Sequence, residues 1–180
     1  MIKYIPKFYT EIDESLIRYV RQLPLHQTYN DPQLKKILIK CHSKVEELFG
    51  VELIPTYCFL TKYKQGDELK IHRDRAACEY SVSMCIETNV RWPLHFQHPE
   101  TRERAQVITQ NTGDAVLYKG RDLSHWRRPL IAENGFQNQF FLHYVDANGE
   151  HTEQAGDYHM QEFMKTGDKK QYTLAKEKPI

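Results

Sequence analysis

The chain has 180 residues, with 25 basic and 24 acidic side chains that give a formal net charge of +1 at pH 7. This length suits a single domain with its own core, and the balanced charge excludes a global field that would draw the protein onto nucleic acid or an anionic membrane. No apolar stretch approaches the ~18–20 residues that cross a bilayer, and the start lacks the apolar core of a secretion signal, so we expect a cytoplasmic protein.

Two amphipathic helices are predicted near the start of the chain. Apolar residues recur at three- and four-residue steps from Thr10 to Leu25, and Pro24 is expected to end this helix. The same spacing runs from about Pro32 to Phe49, and Gly50 is expected to end this second helix. Residues 1–50 are therefore expected to form a helical buttress.

After Val51 the pattern changes to short segments rich in aromatic and β-branched residues, separated by turn signals. The predicted strands are residues 57–63, 80–86, 92–96, 105–109, 115–118 and 139–145. Two helices followed by closely spaced strands predict a mainly β sandwich or barrel buttressed by helices, because parallel βαβ units need intervening helices. We expect residues 51–147 to form the core of one domain that spans residues 1–180.

The segment from residue 148 to residue 180 has little periodicity, several charges and scattered aromatic residues. Two interpretations stay open for it. One is a loose tail or an appendage packed on the surface, and the other is a lid over a pocket.

The run from Leu69 to Arg75 carries a candidate metal site. If the chain is extended there, His72 and Asp74 point to the same face, because side chains two residues apart in a strand share a face. A second imidazole, His125, follows a short apolar strand further along the chain. Two imidazoles and one carboxylate on neighbouring strands form a facial set that leaves the opposite positions of an octahedral ion open, as non-haem Fe(II) oxygenases require. The sequence therefore predicts His72, Asp74 and His125 as metal ligands and catalytic residues; the alternative is that these histidines are surface or hydrogen-bonding groups.

Other histidines have weaker sequence contexts. His98 and Glu100 have the same spacing as the candidate pair but lie in a proline-containing connection, and His151 and Glu153 lie in the weakly patterned end of the chain. His143 lies within a predicted strand, and we expect it to be a packed imidazole rather than a ligand.

The core also carries an ordered series of segments: residues 63–74, the strand 80–86, the stretch 113–125 and the closing strand 140–147. Together they resemble the Fe(II)/2-oxoglutarate-dependent dioxygenases, most closely their prolyl-4-hydroxylase-like branch. The resemblance implies a double-stranded β-helix, or jelly roll, with Fe(II) held by His72, Asp74 and His125. It also implies that 2-oxoglutarate is the cosubstrate, which O2 converts to succinate and CO2 as a C–H bond of the substrate is hydroxylated.

One position departs from the family pattern. Family members usually carry a basic residue at the start of the last strand to pair with the distal carboxylate of 2-oxoglutarate, and alignment on Tyr144-Val-Asp-Ala puts Gln137 there. A neutral amide cannot supply that charge, so another cation must serve. Strand parity places Arg127 on the face of His125, which predicts Arg127 as the carboxylate partner; a surface arginine in a basic loop is the alternative.

Tyr63 could add a phenolic hydrogen bond to the same carboxylate, as the tyrosine at the matching family position often does. Lys62 and Arg91 are further candidates for the missing cation.

The favoured function is thus an Fe(II)/2-oxoglutarate-dependent dioxygenase that hydroxylates a peptide residue, an amino acid or a small metabolite. One alternative is an iron oxygenase of the same fold that does not use 2-oxoglutarate, which Gln137 favours. The other alternative is a non-catalytic jelly-roll binding module. A nucleic-acid substrate is not expected without a basic and aromatic binding stripe, and no membrane partner is expected.

Overall fold

The computed structural model describes residues 1–101 and 103–176, and these residues form ten strands and four α-helices. The strands are β1 (Ile2–Ile5), β2 (Gln27–Tyr29), β3 (Leu53–Lys64), β4 (Leu69–His72), β5 (Tyr80–Thr88), β6 (Leu94–Gln97), β7 (Gln106–Ile108), β8 (Ala115–Tyr118), β9 (Ser124–Arg127) and β10 (Phe136–Asp146). The helices are α1 (Glu14–Gln22), α2 (Pro32–Phe49), α3 (Tyr158–Thr166) and α4 (Lys169–Lys176).

Aspartate caps set the starts of the first two helices. The Asp13 carboxylate accepts a hydrogen bond from the backbone N–H of Leu16, and Asp31 accepts from two N–H groups in the first turn of α2. Both predicted helices are confirmed, but α1 is shorter than predicted because Asp13 caps it rather than lying inside it. Helix α2 ends at Gly50, which adopts a left-handed conformation with φ of 75°.

The strands form two antiparallel sheets. The larger sheet has the strand order β1-β8-β5-β10-β3-β2, and the smaller sheet has the order β4-β9-β6-β7. The short strands β1 and β2 were not predicted; they lie at the two edges of the larger sheet, where β1 pairs with β8 and β2 pairs with β3. The mainly β prediction with N-terminal helices is confirmed.

The main core lies between the larger sheet and the helices. Leu38 and Val45 of α2 pack with Leu60 of β3 and Phe140 of β10, and all four side chains are fully buried. Because successive residues of a strand face opposite sides, the alternate residues of β3 and β10 face the space between the two sheets. That inter-sheet space holds the candidate site.

The segment after β10 packs against the sheet core. Its fully buried carboxylate, Asp157, accepts two hydrogen bonds from the guanidinium of Arg75, at 2.7 and 2.6 Å, and one from the hydroxyl of Tyr29 at 2.5 Å. This ion pair fixes the segment beside residue 74. Residues 177–180 of the predicted extension lie outside the described residues. In the part of the chain that the structure describes, none of the helices has the length and apolar character needed to cross a membrane.

Candidate metal centre

The three predicted ligands converge at one end of the inter-sheet space. Strands β4 and β9 pair so that His72 lies directly opposite His125. The Nε2 atoms of both imidazoles lie 3.4 Å from the same oxygen, Oδ1 of Asp74. The three potential ligand atoms lie within 4.8 Å of one another. Two imidazole nitrogens and one carboxylate oxygen thus face a common point.

Backbone carbonyls set the orientation of both imidazoles. Nδ1 of His72 lies 2.8 Å from the carbonyl oxygen of Lys70, and Nδ1 of His125 lies 3.1 Å from that of Leu123. A carbonyl oxygen only accepts hydrogen bonds, so each Nδ1 carries the proton and donates it. Each Nε2 therefore faces Asp74: when the ring is protonated it donates to the carboxylate, and when the ring is neutral it offers the lone pair that a metal ion binds.

The charge of Asp74 is stabilised in place. Burial acts to raise the pKa of this carboxyl, but hydrogen bonds with His125 and His72 and the nearby positive charge outweigh burial, so its pKa lies well below the usual range. Hydrogen bonding to Asp74 in turn raises the pKa of His72. The carboxylate is ionised at neutral pH, which is the form that binds a cation.

The other side of Asp74 is held by the main chain around Gly120. The backbone N–H of Asp74 donates to the carbonyl oxygen of Gly120 at 2.9 Å. A Cβ atom at position 120 would lie 2.1 Å from Oδ2 of Asp74 and 2.6 Å from the carbonyl oxygen of Cys78. The carboxylate can occupy its position only because residue 120 has no side chain.

The donor set fits a divalent transition metal. Mixed imidazole and carboxylate ligation suits Fe(II), whereas structural zinc sites are usually closed by thiolates. A second group of potential ligands, formed by Asp74, Cys78 and His143, also lies within 4.8 Å and shares the same carboxylate. The first group is the one in which two imidazoles both turn Nε2 toward Asp74, with Nδ1 held by a backbone carbonyl.

A cavity of about 190 Å3 opens beside the three side chains. Its wall combines the metal set with aromatic and neutral polar residues; the lining residues are Gln27, Tyr57, Phe59, Thr61, Tyr63, Leu69, His72, Asp74, Cys78, Tyr118, His125, Phe141 and His143. His98 and His151 do not line this cavity, and His151 instead accepts a hydrogen bond from Arg121.

Arg127 lies deep in the barrel, with 2% of its surface exposed. Its guanidinium stacks on the ring of Trp92, at 4.8 Å from the ring centroid, and donates to the carbonyl oxygen of that residue and to Oε1 of Gln110. Among the ion pairs of the described residues, none involves Arg127. Burial lowers the pKa of Arg127 to about 10. A buried cation without an anionic partner is costly, so this position favours the binding of an anion.

Buried amides surround this arginine. Nε2 of Gln137 donates to Oε1 of Gln139 at 2.6 Å, and Nε2 of Gln139 donates to Oε1 of Gln110 at 3.2 Å and to Oγ of Ser83 at 2.8 Å. Sequence reasoning found Gln137 but missed Gln139 and Gln110. Strand parity could have found Gln139, which shares a face with Gln137, whereas Gln110 carries no local signal.

The remaining candidates for cosubstrate binding are Tyr63 and Lys62 of β3 and Arg91 in the loop before β6. Tyr63 is buried and lines the cavity, and the charge of Arg127 acts against the effect of burial on the Tyr63 pKa, which is raised overall. Lys62 points away from the cavity and donates to the carbonyl oxygen of Leu23. Arg91 is exposed and lines a separate pocket. Neither Lys62 nor Arg91 lines the cavity beside the metal set.

The solved structures that superpose on this chain include a member of the 2OG-Fe(II) oxygenase family and an alpha ketoglutarate dependent epimerase. An oxidoreductase of the 2OG-Fe(II) oxygenase family from Burkholderia pseudomallei superposes with a TM-score of 0.67 at 13% identity, over 84% of this chain and 88% of that one. The non-heme alpha ketoglutarate dependent epimerase SnoN from nogalamycin biosynthesis gives a TM-score of 0.66 at 13% identity, over 81% and 78% of the two chains. HygX from Streptomyces hygroscopicus, solved with nickel and 2-oxoglutarate bound, gives 0.65 at 11% identity, over 83% and 84%.

No protein-family model and no curated protein matches this chain. At these low identities the structural likeness establishes the fold, and the prediction of a jelly roll buttressed by helices is confirmed. The fold alone does not assign a reaction, because the reaction depends on the side chains of the site.

Proposed function

We propose that this chain is an Fe(II)/2-oxoglutarate-dependent dioxygenase that hydroxylates its substrate. The observation that carries the proposal is the convergence of His72, Asp74 and His125, with both imidazole Nε2 atoms 3.4 Å from one carboxylate oxygen. This set binds one face of an octahedral ion and leaves the opposite positions open. The fold shared with 2OG-Fe(II) oxygenases supports the same reading.

His72, Asp74 and His125 would hold the iron, and Fe(II) with 2-oxoglutarate supplies the oxidation of a C–H bond by O2, with release of succinate and CO2. The carbonyls of Lys70 and Leu123 keep the two imidazoles in the ligating tautomer.

Arg127 is the proposed partner of the distal carboxylate of 2-oxoglutarate. It is two residues beyond His125 on β9, a separation of about 7 Å along a strand, which suits a dicarboxylate that reaches from the metal to a cation. Tyr63 lines the intervening cavity and can donate its hydroxyl to the same carboxylate. Gln137 contributes through Gln139, which accepts from Arg127 at 3.5 Å.

The substrate class that we propose is a peptide residue, a free amino acid or a small metabolite. The sequence resemblance to the prolyl-4-hydroxylase-like branch supports a peptide residue, whereas the small volume of the cavity, about 190 Å3, suits a side chain or a compact molecule. We further propose that residues 1–180 act as one dioxygenase domain, in which the segment after residue 147 packs beside the site through the Arg75–Asp157 ion pair.

An anaerobic titration tests the proposed function. Addition of Fe(II) and then 2-oxoglutarate should produce a visible metal-to-ligand charge-transfer band, and His125→Ala should abolish it because two protein ligands seldom hold the ion. His98→Ala is the matched control, since His98 does not line the cavity, and it should leave the band intact. Wild-type protein that binds iron but gives no band would contradict chelation by 2-oxoglutarate.

A second candidate is an iron oxygenase whose substrate binds the open coordination positions directly. The observation that favours it is that Arg127 already donates to Trp92 and Gln110 and does not line the cavity. Succinate formation separates the two functions. One succinate per O2 consumed supports the dioxygenase, and O2 consumption without succinate supports the second candidate.

A further inference from the structure

His143 lies on the cavity wall opposite the smaller sheet, and the proposed reaction gives it no role. It belongs to β10, is 5% exposed, and lines the same cavity as the metal set. Its ring packs between Tyr57, at 4.6 Å between centroids, and Phe141, to which it is parallel within 3° at 6.2 Å. The packing fixes the plane of the imidazole.

The hydrogen bonds around Ser81 determine which nitrogen of His143 carries the proton. Oγ of Ser81 lies 2.9 Å from Nδ1 of His143, 3.3 Å from Oδ2 of Asp74 and 3.2 Å from the carbonyl oxygen of Cys78. The single hydroxyl proton of Ser81 goes to an oxygen acceptor, of which the ionised Asp74 carboxylate is the stronger. Nδ1 of His143 then donates to Ser81, and Nε2 is left with a lone pair.

That lone pair faces the cavity. Among the hydrogen bonds of residues 1–101 and 103–176, His143 takes part only through Nδ1. Nε2 has no partner among them, yet it is not one of the fully buried polar atoms without a partner, so part of its surface is accessible. Burial lowers the pKa of His143 to about 4, so the ring is neutral at physiological pH. The cavity therefore contains a fixed, uncharged hydrogen-bond acceptor that is connected to the metal ligand Asp74 through one serine.

The rest of the wall around this acceptor is largely aromatic and carries no charge. Phe59 of β3 lies opposite Phe141 of β10, with ring centroids 6.4 Å apart. Apart from the metal set and His143, the described lining residues carry no charged side chain. Away from the metal, a charged substrate group against this part of the wall would be desolvated without a counter-ion, which is unfavourable.

We infer that His143 is a substrate-binding residue, and that the group it holds beside the metal is neutral, apolar or aromatic on its faces and bears a hydroxyl or N–H donor. This inference rests on the proposed function, because it takes the cavity beside the metal set as the substrate cavity. Nε2 accepts the donor's hydrogen bond while Tyr57 and Phe141 hold the imidazole. The position of the substrate is thereby fixed relative to the metal ligands through Ser81.

A pair of small probes tests the inference without knowledge of the natural substrate. Benzyl alcohol and benzyl methyl ether have the same ring and the same oxygen, but only the alcohol donates a hydrogen bond. Their dissociation constants would be measured by NMR with Zn(II)-loaded protein, in which the metal ligands are engaged. We expect the alcohol to bind about tenfold more tightly, as one buried hydrogen bond would give.

Three variants of His143 separate its two nitrogens. His143→Phe should abolish the preference for the alcohol. His143→Asn retains a group near Nδ1 that can reach Ser81 but nothing at the position of Nε2, so it should also lose the preference. His143→Gln places an amide oxygen near the position of Nε2 and should retain part of it.

A purely structural role for His143 predicts a different result. The wild type would then bind both probes equally, or the Phe and Asn variants would keep the tenfold preference, and either result would overturn the inference. Failure of the proposed function is seen separately. If no charge-transfer band forms with Fe(II) and 2-oxoglutarate but probe selectivity follows His143, the binding role stands and the dioxygenase assignment falls.

Discussion

The substitution Gly120→Ala tests whether the metal site depends on the close approach of the main chain to Asp74. The new Cβ would lie 2.1 Å from Oδ2 of Asp74, whereas ordinary contacts begin at 3.4 Å, so the carboxylate would have to move by more than 1 Å. A metal–oxygen bond tolerates a displacement of only about 0.2 Å. The variant therefore loses one of its three proposed ligands.

The loss of metal affinity in Gly120→Ala should be large, and it should be specific to this position. Removing an outer partner of a ligand costs about 10- to 100-fold in metal affinity, so displacement of the ligand itself should cost at least about 100-fold. Competition with a chelator measures the affinity for Fe(II) or Co(II). Circular dichroism of the same samples establishes that the variant is folded.

Gly135→Ala is the matched control. Its Cβ would also clash, at 2.6 Å from Cδ2 of Leu130 and 2.9 Å from the carbonyl oxygen of Ala132, but it lies outside the residues that line the metal cavity. It should lower stability and leave the metal affinity unchanged. A folded Gly120→Ala protein that binds metal as the wild type does would refute the role assigned to Asp74.

Other predictions follow from the buried charges. Arg127→Met should raise the KM for 2-oxoglutarate by about 100-fold, because loss of a buried charge-assisted contact costs roughly 2–5 kcal/mol. Steady-state assays measure this KM, and iron binding should be retained. An unchanged KM would show that Arg127 does not bind the cosubstrate. Asp157→Asn leaves the Arg75 guanidinium buried without its counter-ion, so the free energy of unfolding measured in urea should fall by about 3–5 kcal/mol. The control Glu150→Gln, at an exposed position, should change that free energy little. Equal free energies of unfolding for the two variants would contradict the buried ion pair. The depressed pKa of His143, about 4, means that the unfolded chain binds a proton that the metal-free folded chain does not between roughly pH 6.5 and 4. The stability contributed by this residue is present above pH 6.5 and is lost as pH falls through that window, by about 3 kcal/mol of the free energy of unfolding. His143→Phe should flatten this part of the curve of unfolding free energy against pH. An unchanged curve would contradict the neutral buried imidazole.

Local patterns explain how much of the fold could be predicted. The spacing of apolar residues and the following Gly50 define α2, because helix periodicity and termination are local properties. Strand β1 was missed because its four residues carry too little pattern, and it exists through pairing with β8, more than 100 residues away in the chain. Helices α3 and α4 were missed for a similar reason: their segment is fixed by the Arg75–Asp157 pair, which spans 82 positions.

The same distinction applies to the site. His72 and Asp74 share a short run, so strand parity was enough to predict that their side chains meet. The packing of His143 was also expected, but its position on the cavity wall depends on the pairing of β10 with β3 and β5. The amide cluster around Arg127 joins positions from three strands or loops and has no signature in any one segment.

The most direct measurement is the position of the metal itself. Crystals grown without oxygen in the presence of Fe(II) and 2-oxoglutarate would be measured at the iron absorption edge, where anomalous scattering locates the ion. We expect one peak, at about 2.0–2.2 Å from Nε2 of His72, Oδ1 of Asp74 and Nε2 of His125. A peak bound instead by Cys78 and His143, or no peak at the three predicted ligands, would contradict it.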